Sequence, residues 1–91
     1  MLFEWDDNKS KTNLKKHGVS FDEARTVFAD PLSITVADPH HSEDECRFLD
    51  MGISDQGRLL VVSYTERGRS IRIISARLAV PAERICYEEG N

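Results

Sequence analysis

Arginines crowd one short stretch of the chain. Arg67, Arg69, Arg72 and Arg77 fall within eleven residues, with Glu66 and Tyr64 beside them. Guanidinium groups bind phosphate oxygens through paired, planar N–H donors. They also stabilise negative charge that develops in a transition state. The set is denser than keeping a sheet soluble requires, which is the plain alternative, and it is what phosphate chemistry needs. A second basic group precedes it: Lys9, Lys11, Lys15 and Lys16 lie in residues 9–17 with His17 and no acidic residue. Histidine is a proton carrier near neutral pH. At a helix end it also serves simply as a cation on the helix dipole.

The formal net charge of −4 argues against a nucleic-acid partner, but the distribution argues for one. Nine of the twelve basic residues sit in the stretches 9–17 and 58–77, where Glu66 is the single acid. The acids gather elsewhere: Asp38, Glu43, Asp44, Glu45, Asp50 and Asp55 in the middle, and Glu83, Glu88 and Glu89 near the end. A chain segregated in this way presents a basic face despite its negative sum.

Other chemistry finds little support. The chain has two cysteines, Cys46 and Cys86, far apart and in no C-x-x-C pair. His40 and His41 are adjacent, so their side chains diverge, whereas zinc needs four converging ligands. The reading is loop histidines and two buried, reduced thiols, with no metal and no cofactor. Neither G-x-x-x-x-G-K-[ST] nor G-x-G-x-x-G occurs, which excludes nucleotide binding by those loops. The longest apolar run, Leu59-Leu60-Val61-Val62, is far short of the ~20 residues a bilayer span needs. Met1-Leu2-Phe3 runs directly into Glu4-Trp5-Asp6-Asp7, with no signal-peptide pattern, so a cytoplasmic chain without a membrane partner is expected.

The elements that must position these residues can be read from local pattern. With 91 residues, 40% apolar and 31% charged, the chain is expected to form one domain, residues 1–91. Residues 2–5 alternate as a short strand. Asp6 or Asp7 caps a helix through about His17, with Leu14 its chief apolar residue, and Gly18 ends it in the left-handed conformation. Ser20-Phe21-Asp22-Glu23 has the form of a reciprocal capping box. It opens a second helix with the stripe Phe21, Ala24, Val27 and Phe28, stopped by Asp30-Pro31. The period then changes to two. Strands are predicted at Leu32–Val36, Cys46–Ile53, Leu59–Thr65 and Ile71–Ala76, the last two as a hairpin turning at Arg67-Gly68-Arg69-Ser70. Pro81 suits the first position of a final helix. The class is α+β, in the order β-α-α-β-β-β-β-α, with helices packed on a mainly antiparallel sheet. On an unbroken strand Arg72 shares a face with Ile74, and Arg77 shares the other with Ile71, Ile73 and Ser75. Strand twist, or a bulge near Ser75-Ala76, would bring the two arginines to one rim.

Two sets of strings resemble the BrnT toxin family. The first is Phe3-Glu4-Trp5-Asp6 with Lys9 and Asn13, followed by Lys16-His17-Gly18-Val19-Ser20-Phe21 and Glu23-Ala24. The second is Glu66-Arg67-Gly68 and Arg72-Ile73-Ile74-Ser75-Ala76-Arg77, with Glu83-Arg84 and Tyr87 following. The likeness covers nearly the whole chain. It departs where members often carry basic residues, at positions that here hold Leu78, Ile85 and Cys86.

The resemblance implies a RelE-like fold and the toxin of a type II toxin–antitoxin system. Such a toxin is a metal-independent ribonuclease that inhibits translation. A BrnA-type ribbon-helix-helix antitoxin neutralises it, and the complex of the two represses its own operon, so operator DNA is met only through the complex. RNA cleavage by 2′-hydroxyl attack needs a base, an acid and cations for the phosphorane. Arg67, Arg72 and Arg77 suit the last role, Glu66 or His17 the base, and Tyr64 the acid. Lys9, Lys15, Lys16 and Arg69 suit the RNA backbone. The alternatives are a non-catalytic module binding RNA or protein, and a decayed toxin acting as co-repressor.

Overall fold

Leu59 to Arg67 forms the central strand of the sheet, and its alternation sorts the two layers of the molecule. The structure, a computed structural model, describes residues 1–38 and 46–90. The elements are β1 (Leu2–Glu4), α1 (Asp7–His17), α2 (Phe21–Ala24), a 3₁₀ turn (Arg25–Ala29), β2 (Ile34–Ala37), β3 (Arg47–Ile53), β4 (Leu59–Arg67), β5 (Ser70–Leu78) and α3 (Pro81–Glu89). The sheet order is β1-β5-β4-β3-β2. β1 runs parallel to β5 and the other pairs are antiparallel. The α+β class and the element order agree with the sequence reading.

Leu60, Val62 and Tyr64 face the helices. There they join Ile71, Ile73 and Ala76 of β5 and receive Val19, Phe21, Ala24 and Val27. Burying each of the Val, Leu, Ile and Phe side chains among them contributes about 1.5–3 kcal/mol. Gly52 lets the 3₁₀ turn come this close: a Cβ there would lie 3.0 Å from Val27 Cγ1 and 3.1 Å from Asp30 Oδ2. On the opposite face Met51, Leu59 and Val61 form a smaller cluster with Ile34, Leu49, Ala79 and Tyr87. α3 reaches one end of that face through Ala82, Glu83 and Cys86.

Local signals fix most helix ends. Asp6 accepts the Lys9 N–H at 3.0 Å, Gly18 adopts φ 71°, and Pro81 opens α3. The second helix departs from expectation. Ser20 Oγ accepts the Glu23 N–H at 3.1 Å, but Glu23 does not reach back. Its carboxylate turns inward, 4% exposed, to receive Arg58 Nε at 3.0 Å, Arg58 Nη2, and Ser54 Oγ at 2.7 Å. After one α turn the helix tightens to 3₁₀, with Thr26 Oγ1 donating to the Glu23 carbonyl at 2.6 Å. β2 starts at Ile34 rather than Leu32, because Asp30 accepts the Leu32 N–H at 2.9 Å in a side-chain turn. The expected buried thiols are corrected: Cys46 and Cys86 are both exposed, since Cys46 precedes β3 and α3 buries none of its residues. His40 and His41 lie outside the described residues.

The Glu23–Arg58 pair joins α2 to the β3–β4 turn, and Arg58 Nη2 also donates to the Gly18 carbonyl at 3.0 Å. The hydrogen bond from Arg58 holds the Glu23 carboxyl below the usual glutamate range against the opposing effect of burial, with help from Ser54. Stability from a lowered carboxyl is present above its unfolded pKa of about 4.3 and is lost as pH falls through the folded value. Arg58→Ala should cost about 2–3 kcal/mol in urea unfolding at pH 7. The deficit relative to wild type should shrink as pH falls below about 4.3 and close only below the lowered folded value, where the carboxyl is protonated in both proteins.

Candidate active site

The β4–β5 hairpin turns at Gly68, which takes φ 58°, with Arg69 exposed at the tip. Pairing runs from Arg67↔Ser70 through Thr65↔Arg72 to Tyr64↔Ile73, then resumes at Ser63↔Ser75 and reaches Val61↔Arg77. Ile74 is skipped. One unpaired residue is a β-bulge, and it reverses the alternation beyond it. Directly paired residues share a face, so Arg67, Arg72 and Arg77 all stand on the side opposite the helices. β3 adds Arg47 opposite Thr65, and β1 adds Glu4 opposite Arg72. The face is therefore divided, with an apolar end under α3 and a polar end carrying arginines.

The arginines differ in their partners. Arg72 Nη1 lies 3.8 Å from Glu4 Oε1, too long for a hydrogen bond and weak as a half-exposed ion pair. Arg77 donates Nη1 and Nη2 to the two oxygens of Glu83 at 2.7 and 2.9 Å. Glu83 also accepts the Val80 N–H at 2.9 Å. The hydrogen bond from Arg77 holds the Glu83 carboxyl low, against burial. Arg77 thus ties β5 to the first turn of α3. The far end of α3 is held by Tyr87, whose hydroxyl donates to Asp30 Oδ2 at 2.6 Å. That bond, with burial, pushes the Tyr87 phenol up to about 12.

α1 lies against β5, and Asn13 makes the join. Its Nδ2 donates to the carbonyls of Ala76 at 2.8 Å and Val19 at 2.9 Å, and its Oδ1 accepts the Ala76 N–H at 3.2 Å. The amide does for β5 beyond Arg72 what β1 does up to it. Lys9, Thr12, Lys16 and His17 then line a groove against Ile74 and Ser75. Ser75 is paired to Ser63, so the groove opens beside the arginine face. Lys15 is exposed and does not line it.

Residues 5–83 match the family model described as the ribonuclease toxin BrnT of a type II toxin–antitoxin system. The chain belongs to the BrnT family. The crystal structure of the Brucella abortus ribonuclease toxin BrnT is similar to it, with a TM-score of 0.64 and 21% sequence identity, covering 88% of this chain and 99% of that one. That likeness supports the fold. No curated protein matches the chain.

Not every residue suggested by the BrnT resemblance meets the arginines. Tyr64 lies on the helix-covered face, 4.9 Å from the Phe28 ring and 5.7 Å from the Phe48 ring. Burial pushes its phenol up, aided by the charge of Asp50. Asp50 is itself raised by burial, against hydrogen bonds from Thr35 and Ser33. Glu66 is exposed, and pairing with Ile71 puts it on the helix side at the hairpin end. Among the described residues, no three His, Cys, Asp or Glu side chains converge as a metal site, and no helix is long and apolar enough to cross a membrane. The sequence reading missed Arg47 and Thr65, whose place on the arginine face depends on strand register alone.

Asn13→Ala would leave the Ala76 N–H and two carbonyls without their side-chain partner. The expected cost is about 2–3 kcal/mol by chemical denaturation. Hydrogen exchange should rise at Ala76 ahead of the core amides of β4.

Proposed function

We propose that this chain is a metal-independent endoribonuclease that cleaves RNA by attack of a 2′-hydroxyl on the adjacent phosphorus. The observation that carries the reading is the unpaired Ile74, which brings Arg67, Arg72 and Arg77 to one face of the sheet. The reaction builds negative charge on the phosphorane oxygens, and preorganised guanidinium groups stabilise it. Arg72, whose one carboxylate neighbour among the described residues is loose, is the principal cation. Arg77 contributes from the α3 end, oriented by Glu83.

His17 is the proposed proton carrier, since Glu66 stands on the helix side, away from the arginines. His17 shares the groove with Lys9 and Lys16, beside the route the RNA backbone would take to the arginines. Lys9, Lys15, Lys16 and Arg69 supply sequence-independent attraction that falls with salt. Tyr64 supports β4 by packing rather than by donating a proton. In the cell the activity inhibits translation in the cytoplasm. A BrnA-type ribbon-helix-helix antitoxin neutralises it and joins it in repressing their operon, so operator DNA is contacted through the complex.

One observation favours a second reading, a face that binds RNA without cutting it: both terminal nitrogens of Arg77 are engaged by Glu83. Incubating the purified protein with RNA in EDTA separates the two. Cleavage supports the enzyme, and tight binding with intact RNA supports the module. Arg72→Ala should lower cleavage by about 10²-fold. Expressed without antitoxin, Arg72→Ala and Arg77→Ala should both relieve growth arrest, Arg72→Ala while keeping the wild-type circular dichroism spectrum and antitoxin binding. Full toxicity in both variants would sink the assignment.

A further inference from the structure

Among the described residues, two polar atoms on the arginine face are sealed from water and have no hydrogen-bond partner: Arg47 Nε and the hydroxyl of Thr65. They belong to neighbours. Arg47 pairs with Thr65 across β3 and β4, and Thr65 pairs with Arg72 across β4 and β5. The three side chains form one row on the same face, with the flanking arginines two strand spacings, about 9–10 Å, apart. Thr65 itself is 0% exposed. Buried donors are almost always satisfied, and leaving one unpaired costs stability. Two such groups side by side call for a ligand rich in acceptors.

The donor set says which one. The Nε–H of an arginine and an adjacent Nη–H form a planar fork that fits two oxygens of a phosphate. A threonine hydroxyl supplies one further donor. A second guanidinium stands on the far side of the hydroxyl. An apolar ligand would leave all of these donors buried and unpaired, and a cation would be repelled by two arginines.

We propose that Arg47, Thr65 and Arg72 form a clamp for one phosphodiester of an RNA strand, with the Arg47 fork and the Thr65 hydroxyl donating to its non-bridging oxygens. The clamp deepens the ribonuclease reading above and rests on RNA being the ligand of this face. It adds two residues that bind substrate, and it fixes the strand across β3, β4 and β5 at a stated row. The Arg47 and Arg72 stems flank Thr65, and they part as their heads turn to the phosphate. Glu4, at the end of the row and 3.8 Å from Arg72, holds it too weakly to prevent this.

The test uses binding, so that it does not depend on turnover. The probe is a single-stranded RNA carrying 2′-O-methyl groups on every ribose, which cannot be cleaved by 2′-hydroxyl attack. Thr65→Val removes the hydroxyl and keeps the shape. It should unfold at the wild-type temperature or above, because the lost group had no partner, while affinity for the probe falls at least five-fold. Its plot of log affinity against log salt should keep the wild-type slope, since no charge is removed. Arg47→Lys should also weaken binding with that slope kept, and Arg47→Ala should reduce the slope by about 0.7. Wild-type affinity in Thr65→Val overturns the clamp. So does marked destabilisation, which would show that the hydroxyl has a partner in the free protein. A wild-type protein that binds but does not cut ordinary RNA would overturn the ribonuclease reading and leave the clamp standing.

Discussion

Whether Arg77 joins the arginine face depends on a single residue that has no partner in the ladder. Ile74 is skipped between Tyr64↔Ile73 and Ser63↔Ser75. Were Ile74 paired in its turn, strict alternation would send Arg77 into the helix-covered core. A charge there would be buried without compensation, which is costly. With Ile74 skipped, Arg72 and Arg77 stand together, and Ile73 and Ala76 both still reach the core. The bulge satisfies both layers at once. Asn13 holds β5 just beyond it, bonding to both the N–H and the carbonyl of Ala76, so the interruption sits in a fixed frame.

The same sheet serves two purposes on its outer face. Its apolar end is covered by α3, a helix with no fully buried residue. Polar anchors near its two ends make up for thin apolar packing: Glu83 on Arg77, and Tyr87 on Asp30. Asp30 also accepts the Ile53 N–H at 2.8 Å. Burial pushes its carboxyl up, but the bonds from Ile53, Tyr87 and Leu32 outweigh that and leave it below the ordinary range. The helix is thereby tied to β5 through Arg77, and its seating and the direction of that side chain are one variable.

Much of the architecture was legible because its causes are local. Asp6, Gly18, Pro81 and the Gly68 turn act within a few residues of themselves, and the period-two runs were long enough to declare strands. The capping box was half right for an instructive reason. Ser20 needs only its own helix, whereas Glu23 found a partner thirty-five residues away in Arg58. Asn13 looked like one more polar position on a solvated helix, yet it is buried and joins two elements. The bulge was an open possibility near Ser75-Ala76, and the skip falls at the adjacent Ile74, because parity is settled by pairing between strands. Arg47 and Thr65 gave no signal at all. Neither belongs to a basic cluster, and the register that makes them neighbours exists only once β3 and β4 have paired.

Chain order and spatial order conflict in this sheet. The first strand pairs with the last, Leu2 to Glu4 against Ser70 to Arg72. A strand pair so distant in sequence forms late, since the long loop between must close first. The row from Arg47 through Thr65 and Arg72 to Glu4 draws on four strands and so cannot exist on a half-made polypeptide. Until Arg72 has been made and β1 has paired with β5, the row stays incomplete.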